Sequence, residues 1–225
     1  MAIAFRSPNG VGTGTGTGTN IAVSKPSAVA NGDLIIVGIY HDVAGVSTVP
    51  TGWTACGAIL VDDATDYWLR LYWKRASSEG TSWTWVISAS GWWAYCVAAY
   101  TGGLASGDAI DGTPTTAYST YPATTVIAPS ITTTVDGAML VAFLGNFNGD
   151  AWSSGEAPIT NERADANGGA IYDGIQAAAG TSGTKTFTKS GNLYTNGVVM
   201  AALKPAAAAA DALLAQEFCN TLLRM

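Results

Sequence analysis

Residues 80–103, GTSWTWVISASGWWAYCVAAYTGG, decide the fold. Ser82–Ile87 puts Trp83, Trp85 and Ile87 on alternate positions, the period of two that marks a strand with a buried face. Ser88-Ala-Ser-Gly91 supplies turn-forming residues. Ala94–Tyr100 is then apolar throughout. The direct reading is two strands joined by a turn. Residues 183–205, GTKTFTKSGNLYTNGVVMAALKP, keep the same order: Gly-Thr, a Thr/aromatic strand, Ser-Gly, and an apolar run rich in Val and Ala.

The echo reaches further along the chain. Pro26/Pro129, Ser27/Ser130 and Asp33/Asp136 stand at one offset of 103 residues, as do Gly80/Gly183, Thr81/Thr184, Ala98/Ala201 and Ala99/Ala202. Two related halves are therefore expected, at about 21–104 and 124–205. Within the first, Val49-Pro-Thr-Gly-Trp53 turns into a strand through Leu60. In Tyr67–Lys74, alternation sends Tyr67, Leu69, Leu71 and Trp73 to the core and Trp68, Arg70, Tyr72 and Lys74 outward, with Trp83, Trp85 and Ile87 continuing the inner layer. The expected fold is all-β: one antiparallel, jelly-roll-like β-sandwich over 25–205. A strand and a Gly/Thr arm precede it in 1–24, and a C-terminal α-helix follows in 206–225.

The runs 34–40, 94–100, 138–144 and 198–203 are apolar on both faces, so both faces should be covered. Ala94, Ala98, Ala142 and Ala201 admit a close neighbour, either another layer of this chain or another subunit. This is the sequence's main argument for assembly. Gly10–Thr19, GVGTGTGTGT, has the alternate Gly that weakens a strand and leaves its register loosely specified. It reads as a pliable arm or edge, a contact segment or a surface loop. The tail is rich in helix formers, with Leu214, Phe218 and Leu222 in one stripe and Leu213 beside it. These four are candidate assembly contacts; packing on the chain's own sandwich is the alternative.

Bulk composition excludes several classes. Only 12% of the 225 residues are charged, 48% are hydrophobic, and net charge is -6. No cationic stripe exists to hold nucleic acid. No apolar run approaches the roughly 20 residues that span a bilayer, and Met1–Pro8 lacks the signature of a secretory leader. Synthesis in a cytoplasm is expected. Cys56, Cys96 and Cys219 are odd in number and lack metal-ligand spacing, so free thiols are expected.

Chemistry is sparse. His41 is the one histidine and no G-x-S-x-G motif occurs, so neither a Ser-His-Asp site nor a zinc site can be assembled. No catalytic, cofactor or metal residue is expected, and the chain is not read as an enzyme. A pair of sugar-cleaving carboxylates would have to come from Glu79, Glu156, Glu162 or Glu217, none of them mid-strand among aromatics. Asp62, Asp63 and Asp66 could offer oxygen ligands to Ca²⁺ but lack the spacing of an EF-hand loop; a solvated turn is the better reading, as for Asp108 and Asp111. Trp68, Tyr72, Trp92 and Trp152 are candidate ligand or interface aromatics. Flat rings stack on sugars and also populate protein interfaces, with interface the favoured reading.

The blocks GDLIIVG (32–38), PTGWT (50–54), YWKRA (72–76), GTSWTW (80–85), VAAYTG (97–102) and DGAMLVAF (136–143) resemble those of tailed-bacteriophage virion surface proteins, the β-sandwich modules of fibres and decoration proteins. The resemblance covers about 25–205 and carries no catalytic residue. It implies a head-decoration or fibre-like virion protein that packs against capsid, neck or tail proteins or against its own copies, commonly as a trimer. Recognition of a host surface glycan is the alternative, and a glycan-degrading enzyme the third reading.

Overall fold

The computed structural model describes residues 2–43, 45–61, 67–146, 149–191 and 195–207. All regular structure there is antiparallel β. The first half contains β1 (Ala4–Phe5), β2 (Val11–Ser24), β3 (Leu34–His41), β4 (Val46–Thr48), β5 (Thr54–Val61), β6 (Tyr67–Arg75) and β7 (Ser82–Thr101). The second contains β8 (Thr115–Ser119), β9 (Thr125–Ala128), β10 (Thr132–Thr133), β11 (Ala138–Asn146), β12 (Trp152–Ser154), β13 (Asn161–Ala166), β14 (Gly169–Gln176), β15 (Gly180–Thr181), β16 (Lys185–Lys189) and β17 (Asn196–Leu203).

The stretch expected to be a hairpin is one continuous strand, β7. Ser88–Gly91 bends the chain without reversing it. Opposite β7, Gly18 faces Gly91 and Asn20 faces Val86, so β2 advances two residues while β7 advances five. A bulge of this kind sharpens the local twist and bend. The β2–β7 ribbon folds over, and the Ser24 amide donates to Tyr95 Oη at 3.2 Å. Each end of β7 therefore serves a different layer.

Both halves then show one topology. In the first, the early part of β2, the late part of β7, β3, β6 and β5 form a large sheet in that order, while late β2, early β7 and β4 form a small layer. In the second, β8-β17-β11-β14-β13 form the large sheet and β9-β16-β12 the small one. These pairings follow the same order in both halves, with β1 and the β10–β15 pair standing outside the correspondence.

Side-chain alternation divides the core into three slabs. Ile35, Val37, Ile39, Tyr95 and Val97 leave the first large sheet toward Ile21, Trp83, Trp85 and Ile87 of its small layer. Leu34, Ile36, Tyr40, Leu69, Leu71, Cys96 and Ala98 leave its other face toward Val141, Phe143, Ile171, Val199 and Ala201 of the second large sheet. Leu140, Ala142, Leu144, Val198 and Met200 face Val126, Trp152 and Phe187 of the second small sheet. The arrangement has four layers, where one two-layer sandwich was expected. The runs that are apolar on both faces are covered on both faces by this same chain, so they no longer argue for a partner. Trp83, Trp85 and Ile87 are buried as expected, but in a different slab from Tyr67, Leu69 and Leu71.

The Gly/Thr tract takes the edge alternative, as the first part of strand β2. Gly12, Gly14 and Gly16 stand opposite Val97, Tyr95 and Trp93, and the two rings lie across the glycines. A Cβ at Gly14 would fall 2.5 Å from Tyr95 Cε1, and one at Gly16 2.5 Å from Trp93 Cζ2. Thr13, Thr15 and Thr17 face solvent. Polar stitches join the halves: Tyr67 Oη donates to Thr195 O at 2.9 Å, and Cys96 Sγ to Gly169 O at 3.3 Å. At the end of β17, Pro205 bridges to Gly103 and the Ala206 amide donates to Gly102 O at 2.7 Å. Of the helix expected over 206–225, residues 206 and 207 are described and lie outside any helix, while 208–225, with Leu213, Leu214, Phe218 and Leu222, falls outside the described residues.

Candidate functional site

Among the described residues, several groups with chemical potential are engaged within the fold. His41 closes β3 and is fully buried. Arg70 Nε donates to His41 Nε2 at 3.0 Å, and the Arg70 guanidinium lies 4.4 Å over the Trp68 ring. Burial, then the Arg70 charge, push the His41 pKa down to about 4. At neutral pH the imidazole is uncharged with its Nε2 lone pair engaged, so it has no free base to offer.

The carboxylates read the same way. Glu79 accepts from Lys74 Nζ at 2.8 Å, Trp83 Nε1 at 2.7 Å and the Ser77 amide at 2.9 Å. Glu156 accepts from the Thr186 amide at 3.1 Å, and Glu162 from Tyr172 Oη at 2.6 Å. Asp111, expected in a solvated turn, is fully buried and ties down the 134–135 turn through Thr134 N at 2.9 Å and Val135 N at 3.3 Å. Asp173 is buried against Arg163, 2.8 Å away. Cys56 and Cys96 are free and buried, and desolvation raises both thiol pKa values. Among the described residues no group of three or more His, Cys, Asp and Glu could hold a metal ion. Asp62, Asp63, Asp66 and Glu217 lie outside those residues.

The four candidate aromatics do not converge. Trp68 is half-buried, with Arg70 on its ring. Tyr72, expected outward, is buried beside Trp85 at a centroid distance of 5.5 Å, because the small layer covers that face. Trp92 is half-buried and meets Tyr40 edge-on at 5.1 Å. Trp152, read as a loop residue, belongs to β12 and is buried against the second small sheet's core. Neither Tyr72 nor Trp152 presents a face to a sugar.

Two surface features stand out instead. Tyr118, Tyr121 and Ile127 are 45%, 59% and 54% exposed. They lie on β8, on β9 and in the turn between, both strands being sheet edges. The second feature is a groove of about 870 Å³ where the chain ends meet, lined by Ala2, Ile3, Val135, Ile175 and Pro205 with Asp136 and Lys204 among its polar residues. Sequence reading missed both. The groove is assembled from the N-terminus, the link between halves, the 134–137 turn, the end of β14 and the residues after β17. Segment 115–128 carries no apolar run to draw notice.

No family model, curated protein or solved structure matches this chain.

Proposed function

We propose that this chain is a structural protein of a tailed-bacteriophage virion, of the head-decoration or fibre-like kind, packing against capsid, neck or tail neighbours or its own copies. It would be made in the host cytoplasm and act in the particle. The observation that carries this reading is the pair of edge strands β8 and β9, which leave Tyr118 and Ile127 about half exposed on a body where His41, Glu79 and Asp111 are engaged within the fold. Exposed aromatics and unpaired strand edges are the raw material of interfaces.

Strand order supports a jelly-roll reading of each half. Counting β8, β9, β11, β12, β13, β14, β16 and β17 as strands one to eight, the large sheet runs 1-8-3-6 with 5 at its edge, and the small sheet runs 2-7-4. Apart from strand five, which joins the large sheet, and the β10–β15 pair, which is left out of the count, this order supports a double-sheet jelly-roll reading, an architecture shared by viral capsid and lectin domains. The same topology hosts unrelated functions, so the surface must carry the assignment. The glycan-binding alternative keeps Trp68 but loses Tyr72 and Trp152 to the core.

Native mass measurement tests the proposal. Discrete homo-oligomers, or co-purification with virion proteins, are expected for the wild type, with dissociation in a Tyr118→Asp/Ile127→Asp variant that still folds. A wild type that stays monomeric and binds no virion protein would remove this reading.

A further inference from the structure

We infer that the groove at the chain ends is the seat of this protein's own segment 208–225, docked within the same molecule. The groove wall is built partly by the chain on its way out: Pro205, Ala206 and Ala207 line it, opposite Ile3, Val135 and Ile175. Pro205 and Ala206 are fixed there by the bridge to Gly103 and the 2.7 Å hydrogen bond to Gly102 O. The next 18 residues, AAADALLAQEFCNTLLRM, thus start from the groove itself.

Reach and chemistry both favour this occupant. Leu213 follows Ala207 by six residues, so it lies within about 20 Å of the groove wall even in a fully extended chain. The segment carries Leu213, Leu214, Phe218, Leu222 and Leu223, while Ile175 is left 40% exposed at the groove. Lys204 at the groove suits Asp211 and Glu217, and Asp136 suits Arg224. A short tether gives its segment an effective concentration in the millimolar range, so modest apolar contacts suffice within one chain. Leu213, Leu214, Phe218 and Leu222 are thereby assigned to intrachain packing. The assignment does not depend on the virion proposal.

The test uses the full-length chain, following chymotryptic cleavage after Phe218 and its leucine neighbours together with hydrogen exchange in 208–225. In the wild type, cleavage should be at least about tenfold slower than in Ile175→Asp, because proteolysis follows the open population. That protection should not change with protein concentration. Ile175 is exposed enough for the substitution to spare the fold, and Leu222→Asp, which keeps the Phe218 cleavage site, provides the matching lesion from the segment's side. Equal cleavage in the wild type and both variants would overturn the inference. So would protection that disappears on dilution, which would place the segment in a second copy's groove.

Discussion

Gly38 lies beneath the ring of Phe143: a Cβ at position 38 would stand 2.2 Å from Phe143 Cδ2. The facing sheet has a similar hole. A Cβ at Gly145 would fall 2.3 Å from Leu69 and 3.2 Å from the Tyr40 ring. Strands β3 and β11 hold the same place in their sheets, and each gives the interface one glycine hole, that at Gly38 filled by Phe143 of β11 and that at Gly145 chiefly by Leu69 of β6. The two large sheets therefore fit as complementary surfaces.

Substituting Gly38 by Ala should destabilise the protein by about 1–3 kcal/mol through overpacking, although Ala usually improves on Gly in a strand. Phe143→Ala should cost about 3–5 kcal/mol. In Gly38→Ala/Phe143→Ala the two effects should fall short of additive, since the residues touch. Urea denaturation of the single and double variants measures this coupling, and strict additivity would contradict the contact.

A second overpacking effect is expected in the Gly/Thr strand. Gly16→Ala must displace the Trp93 ring and should cost about 1–3 kcal/mol. Thr15→Ala, at a solvent-facing position of the same strand, should stay within about 0.5 kcal/mol. A Trp emission change confined to Gly16→Ala would locate the disturbance; equal effects at both sites would return the tract to a loose arm.

The single histidine makes pH dependence easy to assign. His41 should titrate near 4 in the folded protein, against 6.5 for the ordinary group, because of burial and then Arg70. With the folded pKa depressed, unfolded chains take up the proton first. The His41 contribution to stability is thus present above about 6.5 and lost as pH falls toward 4. Arg70→Ala should raise the folded pKa. An NMR titration of the imidazole reads it directly, and a midpoint near the ordinary value in the wild type would show His41 solvated.

At the β8 and β9 edges, Tyr118→Asp with Ile127→Asp should leave the unfolding midpoint nearly unchanged, since both side chains are about half exposed. The same pair should lower the sedimentation coefficient of any assembly. A stability loss as large as that of Phe143→Ala would mean that these residues serve the fold instead.

Which faces are buried was largely legible in the residues themselves, while the number of layers was not. Alternation placed Tyr67, Leu69, Leu71 and Trp73 on a buried face, and the two-faced apolar runs required cover on both sides. What local pattern could not supply was the identity of the cover. Tyr72 looks solvent-facing within its own strand; it is buried by Trp85, a residue of the bent ribbon. Ser88–Gly91 contains the same residue types whether the chain reverses or merely bulges, so hairpin and bent strand cannot be told apart without the β2 register. Gly14 and Gly16 make sense only with Tyr95 and Trp93 opposite. The groove draws on five separated segments, and no spacing rule joins them.

The most direct test of the back-to-back arrangement is a nuclear Overhauser contact between Gly38 Hα and the Phe143 ring protons, measured in dilute protein shown to be monomeric. The account predicts a strong contact, with the Gly38 protons shifted by the ring current, unchanged on further dilution. Absence of the contact, or its loss as the protein is diluted, would mean that these apolar faces meet another chain and not each other.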